Sequence, residues 1–186
     1  MADTTLASTD LSPDLAAAAD AIAVADEVIA VAVARLQELG GPDANQVFAY
    51  ELAHAGAGVM TARGMLAYGE RGDVEARLTC GFVADAVHDL ASRLIGRESL
   101  WGVGADALSA TAGFVERYRD PAFLASLATS PGPRHLSDDM EMVQDTFRAF
   151  AADVIAPHAE HVHRTNGDVP EEIVSGLAEV GAFGLS

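Results

Sequence analysis

Residues 15–39 read LAAAADAIAVADEVIAVAVARLQEL. Large apolar residues return every seventh position, at Leu15, Ile22, Ile29 and Leu36. A second line runs Ala18, Ala25, Ala32 and Leu39. Strand alternation cannot produce this spacing, whereas a helix gathers both lines onto one narrow seam. Large residues beside small ones on that seam suit close packing against a neighbouring helix. Upstream, Ser12 reads as the N-cap and Pro13 as the first helical position, with residues 1–11 as a loose tail. Downstream, Gly40-Gly41-Pro42 stops the helix by freeing the backbone and then removing a donor.

The same stepping continues along the chain. A second helix opens near Asp43 or Asn45, with a stripe at Phe48, Leu52, Ala55, Val59, Ala62 and Leu66. Gly56, Gly58 and Gly64 lie inside it. Each costs about 1 kcal/mol against alanine in a helix, and they are expected to permit near contact between backbones. A turn at residues 69–72 leads to a third helix from Asp73, with Cys80, Val83, Val87, Leu90 and Leu94 on its stripe and Gly96 as its stop. Residues 97–104 read as a connector holding Trp101. A fourth helix spans Asp106 to Arg119, with Leu108, Ala112, Val115 and Tyr118 on one face. Asp120-Pro121 interrupts it before a short helix to Leu127. Four helices with short loops predict an antiparallel up-down bundle over residues 12–128.

Thr129-Ser130-Pro131-Gly132-Pro133 is the sharpest break, and residues 129–137 read as a linker. Beyond it, Ser137 caps a helix whose first turn holds Asp138, Asp139 and Glu141, which complement the positive end of the helix dipole. Its apolar face is Val143, Phe147, Phe150 and Val154. Pro157 is expected to break or kink it. A further stretch runs to Thr165, residues 166–168 turn, and Pro170 opens a last helix with Ile173, Leu177 and Val180 as its stripe and Gly181 as its C-cap. The fold class is all-α.

The 186 residues carry 11 Lys plus Arg against 28 Asp plus Glu, a formal charge of −17. Half the residues are apolar and the mean hydropathy is +0.19, so the chain can bury a core and is not a disordered acidic tract. The charge argues against nucleic acid and anionic membrane as partners, since both require basic patches. One cysteine, Cys80, excludes an intramolecular disulfide and a cysteine zinc site. The first ten residues hold two Asp and no cation, unlike a secretory leader. The longest apolar stretch is broken by Asp20, Asp26 and Glu27, so it does not span a bilayer. A cytoplasmic location fits the lone thiol.

The polar candidates are few. His158 and His161 share a helix face at a spacing metals use, and Glu160 and His163 form a second such pair. A solvated helix end, with cations near the last carbonyls, accounts for both. His54 and His88 stand singly on apolar helices and are expected to be packed or hydrogen-bonded. Cys80 falls on a buried stripe and reads as a small core residue. Gly102-Val103-Gly104 resembles half of a dinucleotide fingerprint but follows no strand. Ser109 and Ser175 lack a nearby base. No residue is assigned a catalytic, cofactor or metal role. The chain closes on Gly181-Ala182-Phe183-Gly184-Leu185-Ser186, an apolar stub that leads us to expect a longer native polypeptide.

Residues 138–186 resemble the N-terminal helical start of the acyl-CoA dehydrogenases. The resemblance is carried by Met142-Val143-Gln144-Asp145-Thr146-Phe147-Arg148-Ala149-Phe150-Ala151 and by Val154-Ile155-Ala156-Pro157-His158-Ala159-Glu160. Asp168-Val169-Pro170-Glu171-Glu172-Ile173 and the Gly181–Ser186 exit complete it. It covers about a quarter of the chain, and the specificity lies in the order of these motifs. The helices ahead of it resemble an extension that most of the family lacks. The resemblance implies a flavoprotein that dehydrogenates the Cα–Cβ bond of a short branched acyl-CoA. A carboxylate base takes the α-proton and FAD takes the β-hydride. It also implies electron-transfer flavoprotein as a partner and a homo-oligomer. The family's flavin site and catalytic glutamate lie in domains this chain does not contain, so the 186-residue piece alone is expected to bind no FAD and to be inactive. The alternatives are a non-catalytic helical protein-interaction module and, more remotely, a metal-binding helical protein using His158 and His161.

Overall fold

The computed structural model describes residues 12–129 and 132–184, and it is helical, with no strand among them. The expected tail at 1–11, residues 130 and 131 of the linker, and Leu185 lie outside the described residues. The chain divides into two compact units, Met1–Gly132 and Pro133–Ser186.

In the first unit, α1 (Leu15–Glu38), α2 (Gln46–Gly69) and α3 (Asp73–Leu94) pack pairwise. The pairings fix their directions. Gly69 at the end of α2 lies against Leu15 at the start of α1, and the Arg63–Asp26 ion pair lies further along, so α1 and α2 run antiparallel. Arg97, just past α3, pairs with Glu51 near the start of α2 at 2.5 Å, and Thr79 Oγ1 donates to the Met65 carbonyl at 2.9 Å. Hence α3 is antiparallel to α2. The apolar stripes read from sequence meet in one core: Ala18, Ile22, Ala25 and Ala32 of α1, Phe48, Leu52, Ala55, Val59 and Ala62 of α2, and Cys80, Val83, Val87 and Leu90 of α3. Each large side chain buried there contributes about 1.5–3 kcal/mol.

The fourth helix is not continuous. Residues 97–104 hold a one-turn helix, α4 (Glu98–Trp101), closed by Gly102 at φ +75°. The stretch read as one helix from Asp106 instead makes a 3₁₀ turn at Ser109–Thr111 and then the seven-residue α5 (Ala112–Tyr118). Bonds closing three residues back, Ala107 to Gly104, Ser109 to Asp106 and Thr111 to Leu108, replace the four-residue ladder there. α6 (Pro121–Leu127) follows, with Asp120 accepting from the Ala122 and Phe123 amides. The bundle is therefore three long antiparallel helices closed by short ones. Trp101, Tyr118 and Phe123 are its largest fully buried side chains. Trp101 packs edge-on to Phe48, with centroids 5.4 Å apart, and Tyr118 edge-on to Phe123 at 5.0 Å.

The start of α1 corrects the sequence reading. Asp14, not Ser12, is the N-cap, and its carboxylate accepts from the Ala17 amide at 2.9 Å. The Ser12 carbonyl is held elsewhere, by Arg117 Nη2 at 2.9 Å and Tyr118 Oη at 3.0 Å. The glycine expectation is also overturned. A Cβ on Gly58 or Gly64 would meet nothing within 4 Å, and one on Gly56 only the tip of Ile29. The tight glycine of α2 is Gly69, where a Cβ would stand 2.8 Å from Leu15 Cδ2 and 2.9 Å from Thr79 Oγ1. Asn45 precedes α2 without a side-chain cap bond. Its amide donates to the Leu39 and Gly41 carbonyls and ties the α1–α2 turn.

Candidate functional site

The second unit grows from α7 (Asp138–Phe150), where the Ser137 hydroxyl accepts from the Met140 amide at 3.4 Å and the three acids occupy the first turn. Pro157 neither breaks nor stops the helical path. Residues 151–155 form a π-turn, with the Ala156 amide donating to the Ala151 carbonyl, and α8 (Ala156–Thr165) continues from it. A wider turn makes room for a ring that would otherwise meet the carbonyl four residues back. Asn166 at φ +50° ends α8, and the Gly167 amide returns to the Val162 carbonyl at 3.0 Å.

Pro170 stands just before α9 (Glu171–Glu179) as its N-cap, and Val180 closes it ahead of Gly181 at φ +79°. α9 folds back on α7 and α8 through two side-chain contacts. The Phe150 ring lies on Gly176, where an added Cβ would stand 2.7 Å from Cζ. His158 Nε2 meets Glu172 Oε1 at 2.7 Å. Ile173 is the buried apolar side chain of this unit among the described residues. Met140, Met142, Val143, Val169, Val174 and Phe183 remain exposed. The arrangement is an apolar packing face held in shape by a glycine contact and an ion pair.

The residues singled out from sequence do not converge. His158 is held by Glu172, whereas Glu160 pairs with Arg164 at 2.8 Å and His161 and His163 face solvent. No group of three His, Cys, Asp or Glu side chains comes together among the described residues. His54 and His88 are exposed rather than packed in the core, although His54 stacks edge-on against Tyr50 with centroids 4.4 Å apart. Gly102 closes α4 and abuts Val31 and Arg35, so the Gly102–Gly104 pattern is a turn. Ser109 opens the 3₁₀ turn, and Ser175 donates to Glu171 at 3.4 Å. Cys80 is fully buried, and burial pushes its thiol above the usual range. Glu172 and Gly176 were missed because both act through residues more than ten positions away. Glu75, buried in the first turn of α3, carried no sequence signal beyond its helix position.

The flavin implied by the family resemblance needs cationic or amide donors for its pyrophosphate. In the second unit Arg134 is committed to Gln144 and Glu141, Arg148 to Asp145 and Arg164 to Glu160. The first turns of α7 and α9 hold acids that would repel phosphate. These residues do not fit FAD.

Residues 137–186 match the family description "Acyl-CoA dehydrogenase, N-terminal domain". The segment is similar to that family's N-terminal domain. Over 55 residues the chain is 46% identical to (2S)-methylsuccinyl-CoA dehydrogenase of Cereibacter sphaeroides, a stretch covering 30% of this chain and 10% of that protein. The chain thus spans about a tenth of the length of the curated relative it matches. No solved structure matches. The acyl-CoA dehydrogenase match coincides with α7–α9 and leaves α1–α6 outside it.

Proposed function

We propose that the chain is the leading helical part of an FAD-dependent acyl-CoA dehydrogenase acting on a short branched acyl-CoA such as methylsuccinyl-CoA. The observation that carries this reading is the family match over residues 137–186 together with 46% identity to a methylsuccinyl-CoA dehydrogenase. The exposed apolar face of α7–α9 supports it, because such a face suits packing against further protein. In this reading α7–α9 wall the acyl pocket and brace the flavin domain. FAD, the hydride acceptor, and the carboxylate base are held by residues outside this chain. Electron-transfer flavoprotein takes the electrons, and the enzyme works as a homo-oligomer in the cytoplasm. The 186-residue piece alone has no dehydrogenase activity and binds no FAD.

The test is to isolate the native gene product, measure its intact mass and visible spectrum, and assay it with methylsuccinyl-CoA and an artificial electron acceptor. A flavin-bearing protein much heavier than 19 kDa that forms the enoyl thioester is expected. A colourless 19 kDa product without thioester turnover would instead favour a non-catalytic helical interaction module, a reading to which the separate core of α1–α6 lends weight. The helical extension is proposed to limit acyl-chain length. Deleting residues 1–133 from the full enzyme should then raise kcat/KM for longer acyl-CoAs relative to the short branched one.

A further inference from the structure

Asn166 and Gly167 stand together, both exposed, in the turn between α8 and α9. An asparagine followed by glycine can react with its own backbone, because glycine has no Cβ to hinder its amide nitrogen. The Gly167 nitrogen bonds to Asn166 Cγ and ammonia leaves, closing a five-membered succinimide. Water then adds to one of the two ring carbonyls. Opening at the former side-chain carbonyl gives aspartate. Opening at the main-chain carbonyl gives isoaspartate, in which the backbone runs through the former side chain. The net change is amide plus water to carboxylate plus ammonium, and no oxidant or reductant enters. The other asparagine of the chain is Asn45, followed by Gln46. Its amide is held by the Leu39 and Gly41 carbonyls.

The folded turn blocks the closure at Asn166. The ring needs the Asn166 Cβ and the Gly167 nitrogen on the same side of the Cα–C bond. At φ 50° and ψ 40° they lie on opposite sides. The Gly167 amide is also occupied, donating to the Val162 carbonyl at 3.0 Å. We propose that Asn166 is a self-modification site whose reaction is gated by the last turn of α8, and that its isoaspartate product unlatches α9. The gate is light. Ile173 is the buried apolar side chain of this unit among the described residues, and a turn held by few apolar contacts opens at little cost. Both products set a new carboxylate at the negative end of the α8 dipole, two residues from Asp168. Isoaspartate also adds a methylene to the main chain, so the Gly167 amide loses its register with the Val162 carbonyl. The turn that aims α9 back at α8 is then gone, and with it the His158–Glu172 contact. By reciprocity, loosening α9 speeds the opening that the reaction needs.

The experiment ages the full 186-residue chain in mildly alkaline buffer, with peptide mapping to locate conversion and a protein-isoaspartate methyltransferase to read isoaspartate. Conversion is expected at residue 166 and not at Asn45, and at least about tenfold slower in the folded chain than in the same chain in urea at the same pH. Glu172→Gln should speed the folded reaction and leave the rate in urea unchanged. Asn166→Gly keeps a residue that accepts the left-handed turn and should abolish the methyltransferase signal. Hydrogen exchange across α9 should be faster in the converted chain than in Asn166→Gly aged alongside it. A folded chain that yields no product at residue 166, comparable rates in buffer and urea, a folded rate indifferent to Glu172→Gln, or unchanged α9 exchange in the converted chain overturns the proposal.

Discussion

Single atoms decide several positions in this protein. Gly176 has the Phe150 ring where a methyl group would go, so Gly176→Ala should destabilise the α7–α9 unit by about 1–3 kcal/mol. Gly58 has open space at the same position and sits inside a helix, so Gly58→Ala should stabilise by about 0.5–1 kcal/mol. Paired denaturant titrations of the two variants check both signs. Sequence flagged Gly58 and passed over Gly176, because a glycine's surroundings are set by whatever packs on it. Tyr118 and Cys80 are a second residue-scale case. Burial pushes the Tyr118 phenol up to about 12 and raises the Cys80 thiol. Between their ordinary and folded values the native state holds protons the unfolded chain has released, so stability falls as pH rises from about 9 towards 12. All eleven cations are arginine, so no lysine titration overlaps this window. Tyr118→Phe should flatten the upper part of that fall in thermal melts. The same burial predicts that Cys80 reacts with a thiol reagent only after unfolding.

Among the elements, boundaries were legible wherever punctuation was local. Gly96, Asn166 and Gly181 each adopt the positive φ that ends or follows a helix, and Asp120-Pro121 starts α6 with the proline at its first position. The α1 start differs from the expectation of a Ser12 cap: Asp14 caps the helix, while the Ser12 carbonyl is held by Arg117 and Tyr118 from far along the chain. Asp14→Ala should cost about 1 kcal/mol and Ser12→Ala clearly less, a difference that the two melting temperatures would show. The π-turn before Pro157 belongs to the same class. A proline predicts trouble in a helix, but the neighbouring turns decide between a break and a widened turn.

At the scale of the whole molecule the two units differ in how much they bury. The α1–α6 unit closes a core around Trp101, Tyr118 and Phe123, whereas the α7–α9 unit buries Ile173 and leaves most of its apolar face open. A piece spanning residues 12–132 should therefore melt cooperatively, and one spanning 133–184 should give a broad, weakly helical transition. Circular dichroism of the two pieces would distinguish them. By itself the sequence determined the all-helical class, the buried stripes of α1–α3 and the resemblance of the last fifty residues to the acyl-CoA dehydrogenases. Each of these is written in spacing between near neighbours or in an ordered run of motifs. The tertiary structure alone decided that the fourth helix is broken, which glycines are crowded, and that His158 answers to Glu172. Those outcomes depend on which distant side chains meet, and pairwise contact across elements leaves no periodic mark along the chain.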